Sequence, residues 1–273
     1  MKSNKAGLSE ERLGYLRSRA RRKRLVILAR VIILVGFFGL WEIAAQMKWI
    51  DSFIMSCPSR MVETLKNLYS SGDLFTHIGV SCLETVIGFT IGTVAGSLIA
   101  VALWLSPTLS RILDPYLVVL NSLPKTALGP IFIVWMGAGS GAIIAMTLAI
   151  SLIVTVLDVH NGFKATDPEK VKLMRTLGAG KRQILFKLVL PANLTTLISA
   201  LKVNVGLSWV GAIMGEFLVS KAGLGYLIVY GSQVFKMDLV MTSVIILAVA
   251  AAVMYQGVLL LEKGLKKYMG VSA

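Results

Sequence analysis

Residues 239–261 read LVMTSVIILAVAAAVMYQGVLLL, 23 consecutive positions without a charged side chain. The run is apolar almost all round, so a helix made from it has no polar face for water. About 20 such residues cross the roughly 30 Å hydrocarbon layer of a bilayer. The same reading holds at 25–47, 78–105, 115–136, 141–159 and 194–220, which gives about six transmembrane helices. The 273 residues are 56% hydrophobic and 15% charged, too few polar groups to cover a soluble domain of this length. Alternation with period 2 is absent, which excludes an outer-membrane barrel. The fold class is therefore an all-α polytopic membrane protein.

The first run follows Arg21, Arg22, Lys23 and Arg24 and so looks like a secretory signal. It is longer than a signal's apolar region and no small-x-small cleavage site follows it, so a retained first helix is expected over 25–47. The net charge of +14 raises the question of nucleic acid. Its distribution answers it. Ten Lys/Arg lie in residues 1–30, seven between Lys164 and Lys187, three at Lys263, Lys266 and Lys267, and one at Arg111. With the N-terminus inside, these 21 all face the cytoplasm. The other side receives only Lys48, Arg60, Lys66, Lys221 and Lys236. Such a split is what the positive-inside rule produces. The charge encodes orientation, with no nucleic-acid partner. A multi-pass inner-membrane protein with both termini cytoplasmic is expected, and its surroundings are the lipid bilayer. The basic segment 1–24 reads either as a helix lying on the anionic inner leaflet, from Leu8 to Arg24, or as a disordered positive tail.

Cys57 and Cys82 offer no disulfide framework, and His77 and His160 are too few and too far apart for a metal site. Both histidines fall near span ends, where a solvated or capping role is expected. No nucleophile–base pair is visible, so no catalytic residue is assigned and the chain does not read as an enzyme. Gly88, Gly92 and Gly96 form a doubled GxxxG, which lets a neighbouring backbone approach closely, within the subunit or across a dimer. The third span is interrupted at Asn121-Ser122-Leu123-Pro124-Lys125 and again at Pro130. Irregular backbone at membrane depth survives where protein covers it or where it lines a wet cavity. Glu42, Glu84, Asp158, Lys202, Asn204 and Glu216 are polar residues in or near spans. The candidates for lining a pathway are Pro124, Lys125, Asn204, Trp209 and Glu216.

The sizeable cytosolic element between spans is the loop 160–191. Asp167 suits an N-cap, Pro168 the first helical position, and Glu169 the positive end of the helix dipole. Gly178 is a natural stop. A short helix is expected over 168–177, with Val171, Met174 and Leu177 as an apolar stripe flanked by Lys170, Lys172 and Arg175. That stripe must be buried, against this chain's own helix ends or against a separate cytosolic subunit. A second helical segment runs from Lys181 to Leu190 and ends at Pro191. Gly178-Ala179-Gly180-Lys181 lacks the frame of a phosphate loop, so any ATP and magnesium would be bound by a partner and this chain carries no cofactor.

At this loop the sequence resembles the permease subunits of binding-protein-dependent ABC importers. Arg175-Thr176-Leu177-Gly178-Ala179 matches the centre of their signature and Leu188-Val189-Leu190-Pro191 its close, while Lys172-Leu173-Met174 stands where the family has E-A-A. Three further segments resemble the sulfonate/nitrate/taurine branch: Leu123 through Pro130 to Gly137, Leu207 through Glu216, and Ala222-Gly223-Leu224-Gly225-Tyr226-Leu227-Ile228. The resemblance covers residues 55–265. It implies a type I ABC importer permease (MetI-like) fold, paired with a second permease copy as a homodimer. It also implies cytoplasmic ABC ATPase subunits and an extracytoplasmic solute-binding protein. The coupling loop would then comprise Asp167, Pro168, Val171, Met174, Arg175, Thr176, Leu177, Gly178 and Ala179. The competing reading is an ion-coupled secondary transporter with Glu84, Asp158 and Glu216 as relays.

Overall fold

A computed structural model describes residues 10–268, and every regular element among them is helical. The chain divides into two units, residues 1–63 and 64–273. In the first, helix α1 spans Glu10–Gln46 without interruption. Its 37 residues measure about 55 Å at 1.5 Å per residue, well beyond the roughly 30 Å of hydrocarbon. The surplus is its N-terminal part, where the basic residues lie. Residues 10–24 are helical and continuous with the first span, and residues 1–9 lie outside the described residues. Past α1, Asp51 caps the single turn α2 (Ser52–Met55) by accepting from Phe53 N at 2.8 Å. Glu42 Oε2 accepts from Ser59 N at 3.0 Å, which ties the end of α1 to the start of helix α3 (Pro58–Ser70).

The second unit contains α4 (Asp73–Leu105), α5 (Pro107–Ser122), α6 (Gly129–Met136), α7 (Ser140–Lys164), α11 (Leu194–Val219), α12 (Leu224–Gln233) and α13 (Met237–Tyr268). The cytosolic-loop helices α8 (Pro168–Thr176), α9 (Lys181–Ile184) and α10 (Leu190–Ala192) lie between α7 and α11. Across the described residues, five single helices are long and apolar enough to cross a membrane: Arg21–Gln46 of α1, α4, α7, α11 and most of α13. Helix α5 and the segment Lys125–Met136 pass the same test only together, bent by 91° as a broken span or a re-entrant loop, so the described residues hold five spans, or six if that pair is one.

The bend has a local cause. Leu123, forced out of the helical region by the proline after it, takes φ −65° and ψ 136°, and Pro124 offers no N–H to continue the ladder. A 3₁₀ turn, Lys125–Leu128, then leads into α6. Pro130 does not contribute to the break as expected from the sequence. It sits in the first turn of α6, where its missing N–H is harmless.

The core forms where α4, α7 and α11 meet. Gly88, Gly92 and Gly96 on α4 face Thr147, Ser151 and Thr155 on α7 so closely that a Cβ at any of them would collide. Both sets step by four residues, so two small-residue ridges lie along each other. The doubled GxxxG is therefore used inside the subunit. Gly211 and Gly215 of α11 likewise bring that helix close to α7, at Thr147 and Ile143.

Candidate functional site

The cytosolic loop is built largely as its residues dictate. Asp167 Oδ1 accepts from Glu169 N at 2.9 Å, and Pro168 occupies the first turn of α8. At the other end Gly178 takes φ +81°, the left-handed geometry that favours glycine. Gly178 N donates to Arg175 O and Ala179 N to Met174 O, both at 3.0 Å. This double closure satisfies the helix's last carbonyls.

The expected apolar stripe divides. Val171, Met174 and Ala179 pack on a cluster of this chain's own residues: Ala100, Val159, Phe163, Ile184, Leu185 and Val189. Leu177, placed in the stripe from its spacing, is 74% exposed, and Leu173 is 59% exposed. The physical reason is the glycine stop: helical winding ends at Thr176, so Leu177 no longer continues the Val171–Met174 row. Leu173, Arg175, Thr176 and Leu177 are all exposed. The loop is braced against the rest of the unit. Asn193 Nδ2 donates to Thr166 Oγ1 at 2.6 Å, and Lys181 Nζ to the Leu105 carbonyl at 3.3 Å.

Within the bundle, the five pathway candidates fall into two groups. Pro124 is exposed at the break, where Lys125 folds back so that Nζ donates to Asn121 O at 2.9 Å. Asn204, Trp209 and Glu216 are buried among helices of this chain. Asn204 Nδ2 lies 2.8–2.9 Å from Thr93 Oγ1, Ser151 Oγ and Thr155 Oγ1, joining α11 to α4 and α7. Trp209 packs with Val205, Ile213, Leu224 and Val258. Glu216 holds the start of α12. Its Oε2 accepts from Gly225 N at 2.6 Å and its Oε1 from Ser81 Oγ at 2.5 Å. Ser81 Oγ in turn accepts from Leu224 N at 2.7 Å, and His77 Nδ1 accepts from Gly223 N at 2.9 Å. Three successive backbone N–H groups are thus taken by side chains of α4 and α11. Glu84, also buried, lies beside Glu216 and Ser140. Lys202 pairs with Glu262 of α13 at 2.6 Å, and Asp158 is half-buried.

The two histidines differ. His77 caps the α12 start, as its span-end position suggested, and stacks on Tyr226, which stacks on Tyr230, each pair with centroids 5.9 Å apart. His160 is 3% exposed and so is not solvated; the hydroxyl of Ser110 meets its Nε2 at 2.9 Å. Ser81, Ser110 and the Thr147/Ser151/Thr155 ridge were not singled out from the sequence. The ridge had a signal, a four-residue spacing equal to that of the glycines it meets. The serines had none.

Comparison with known proteins agrees with the helix arrangement. The family described as "Binding-protein-dependent transport system inner membrane component" matches residues 92–267. The aliphatic sulfonates transport permease protein SsuC of Bacillus subtilis is 27% identical over 98% of both chains. The formylaminopyrimidine transport permease protein ThiX of Halalkalibacterium halodurans is 30% identical over 68% of this chain and 74% of its own. A chain of the MetNI methionine ABC transporter, solved in an inward-facing conformation, superposes with a TM-score of 0.53 at 20% identity, covering 67% of this chain and 94% of that one. The fold is thus the MetI-like permease fold expected from the resemblance. The chain belongs to the family of binding-protein-dependent transport system inner membrane components and is a multi-pass permease of the inner membrane.

Proposed function

We propose that this permease forms half of the transmembrane pathway of an ATP-driven importer and is moved by a separate cytoplasmic ABC ATPase seated on α8. The observation that carries this is the division of α8. One face, Val171 and Met174, is anchored in the chain's own core, while Leu173 and Leu177 are exposed. A rigidly capped helix with exposed apolar residues can pass a push inward without unwinding, and coupling requires a physical joint whose contacts differ between states. The ATPase would supply ATP and magnesium, a second copy of this chain the other half of the pathway, and an extracytoplasmic binding protein the solute. Pro124 and Lys125 at the break are the residues we assign to the pathway. Asn204, Trp209 and Glu216 hold the helices that frame it. The names of the relatives support a small organic solute of the sulfonate or pyrimidine kind.

Leu177→Glu tests the reading in a complex reconstituted with its ATPase and binding protein. The variant is expected to insert normally and to lose solute-stimulated ATP hydrolysis and uptake. Unchanged coupling in Leu177→Glu, or uptake driven by an ion gradient with no ATPase present, would overturn it. Uptake of labelled taurine or an alkanesulfonate, scored with the partner binding protein, addresses the solute class.

A further inference from the structure

We infer that Ser110, Asp114, His160 and Lys164 form the joint that carries movement of α8 to the broken span α5/α6; this rests on the coupling role proposed for α8. Helix α5 is thinly attached to its neighbours. Of its sixteen residues only Ser110 is buried, and beyond Asp114 it presents Tyr116, Val118, Val119 and Leu120 exposed. Its polar ties to α7 sit in its first two turns. Ser110 Oγ meets His160 Nε2 at 2.9 Å, and Lys164 Nζ donates to Asp114 Oδ2 at 3.0 Å. Asp114 Oδ1 closes the group, 3.4 Å from Ser110 Oγ and 3.8 Å from His160 Nε2.

The placement of this cluster matters more than its strength. His160 and Lys164 are one turn apart at the end of α7, and Lys164 is three residues before Asp167, the cap of α8. From the other flank of the loop, Lys181 holds the Leu105 carbonyl, two residues before α5 begins. Both sides of the cytosolic loop therefore grip the root of α5. Pro115 cannot donate to the Arg111 carbonyl, so α5 bends most easily over residues 111–115, at the grip itself. At its far end are Leu123 and Pro124, where the span turns by 91°. A displacement of α8 that rotates Lys164 thus swings α5 and shifts the break. The half-exposed Asp114–Lys164 pair adds little to stability, as is usual for such pairs, but it sets the angle between two helices with little else between them.

Asp114 and Lys164 are positioning residues, and solute transported per ATP hydrolysed in reconstituted vesicles is the readout that separates positioning from folding. Asp114→Asn and Lys164→Met are each expected to lower that ratio about tenfold, the scale of an ordinary coupling free energy. The double exchange, Asp114→Lys with Lys164→Asp, is expected to restore most of it, because the pair reforms beside the His160 ring. An unchanged ratio in the single variants would overturn the inference, as would a double exchange that assembles without recovery. Should the single variants not assemble, Asp114→Glu and the double exchange decide by the same ratio. Leu177→Glu run alongside keeps the two readings apart. If Leu177→Glu uncouples while the Asp114 and Lys164 variants do not, only the joint is wrong. If Leu177→Glu has no effect, the coupling role of α8 fails and the joint with it.

Discussion

Glu216 and Asn204 both tie helices together inside the bundle, yet their deletions should differ in cost. Glu216 accepts from Gly225 N and from Ser81 Oγ, and Gly225 N–H is a buried backbone donor at the start of a helix. Glu216→Ala strands that donor and loosens Ser81, at a cost of about 2–3 kcal/mol. Asn204→Ala strands less. Thr155 already donates to Ser151 O at 2.8 Å on its own helix, and side-chain hydrogen bonds between membrane helices average roughly 0.6 kcal/mol. Thermal unfolding in detergent should therefore rank Glu216→Ala clearly below Asn204→Ala; the reverse order would show that the clamp on α12 is not what holds this end of the bundle. Neither role was legible in the sequence. An acid and an amide inside apolar runs read as pathway candidates because partners 111 to 135 residues away, Thr93 and Ser81, become visible only once the chain is folded.

At the level of elements, the helix α4 offers two glycines with opposite expectations. Gly79 has open space around it, so Gly79→Ala removes unfolded-state freedom and should be neutral or stabilising by up to about 1 kcal/mol. Gly92 lies against Ser151, and Gly92→Ala must push α4 from α7 at a cost of about 1–3 kcal/mol. Equal effects on unfolding would refute the ridge-on-ridge packing. The helix α8 carries its own prediction. Asp167→Ala should remove a cap contributing about 1 kcal/mol, and Gly178→Ala should add about 1–2 kcal/mol of left-handed strain. Amide exchange across 168–176 should rise in both; protection equal to the parent's would mean the core contacts of Val171 and Met174 alone hold the helix. Here the sequence was nearly sufficient, since caps and stops act within a few residues. It did not show how the stripe divides, with Val171 and Met174 on this chain's core and Leu177 exposed at the glycine-closed end.

At the scale of the whole molecule, orientation decides what α8 can meet. The charge asymmetry predicts both termini in the cytoplasm, so a fluorescent protein fused after Ala273 should glow and alkaline phosphatase fused there should stay inactive. The opposite pattern would invert the chain and remove α8 from the reach of any cytoplasmic ATPase. The apolar membrane helices, the α8 helix and its caps follow from the sequence by itself, because each depends on hydrocarbon thickness or on contacts a few residues apart. Residue by residue, 239–261 could be nothing but a membrane helix. Only the tertiary structure decided that the Gly88/Gly92/Gly96 ridge meets Thr147, Ser151 and Thr155 of the same chain, that Glu216 caps α12, and that Ser110 and Asp114 are gripped by the end of α7. Those pairings join residues 9 to 135 positions apart, and their energies arise from shape and hydrogen-bond geometry that no local pattern of polarity records.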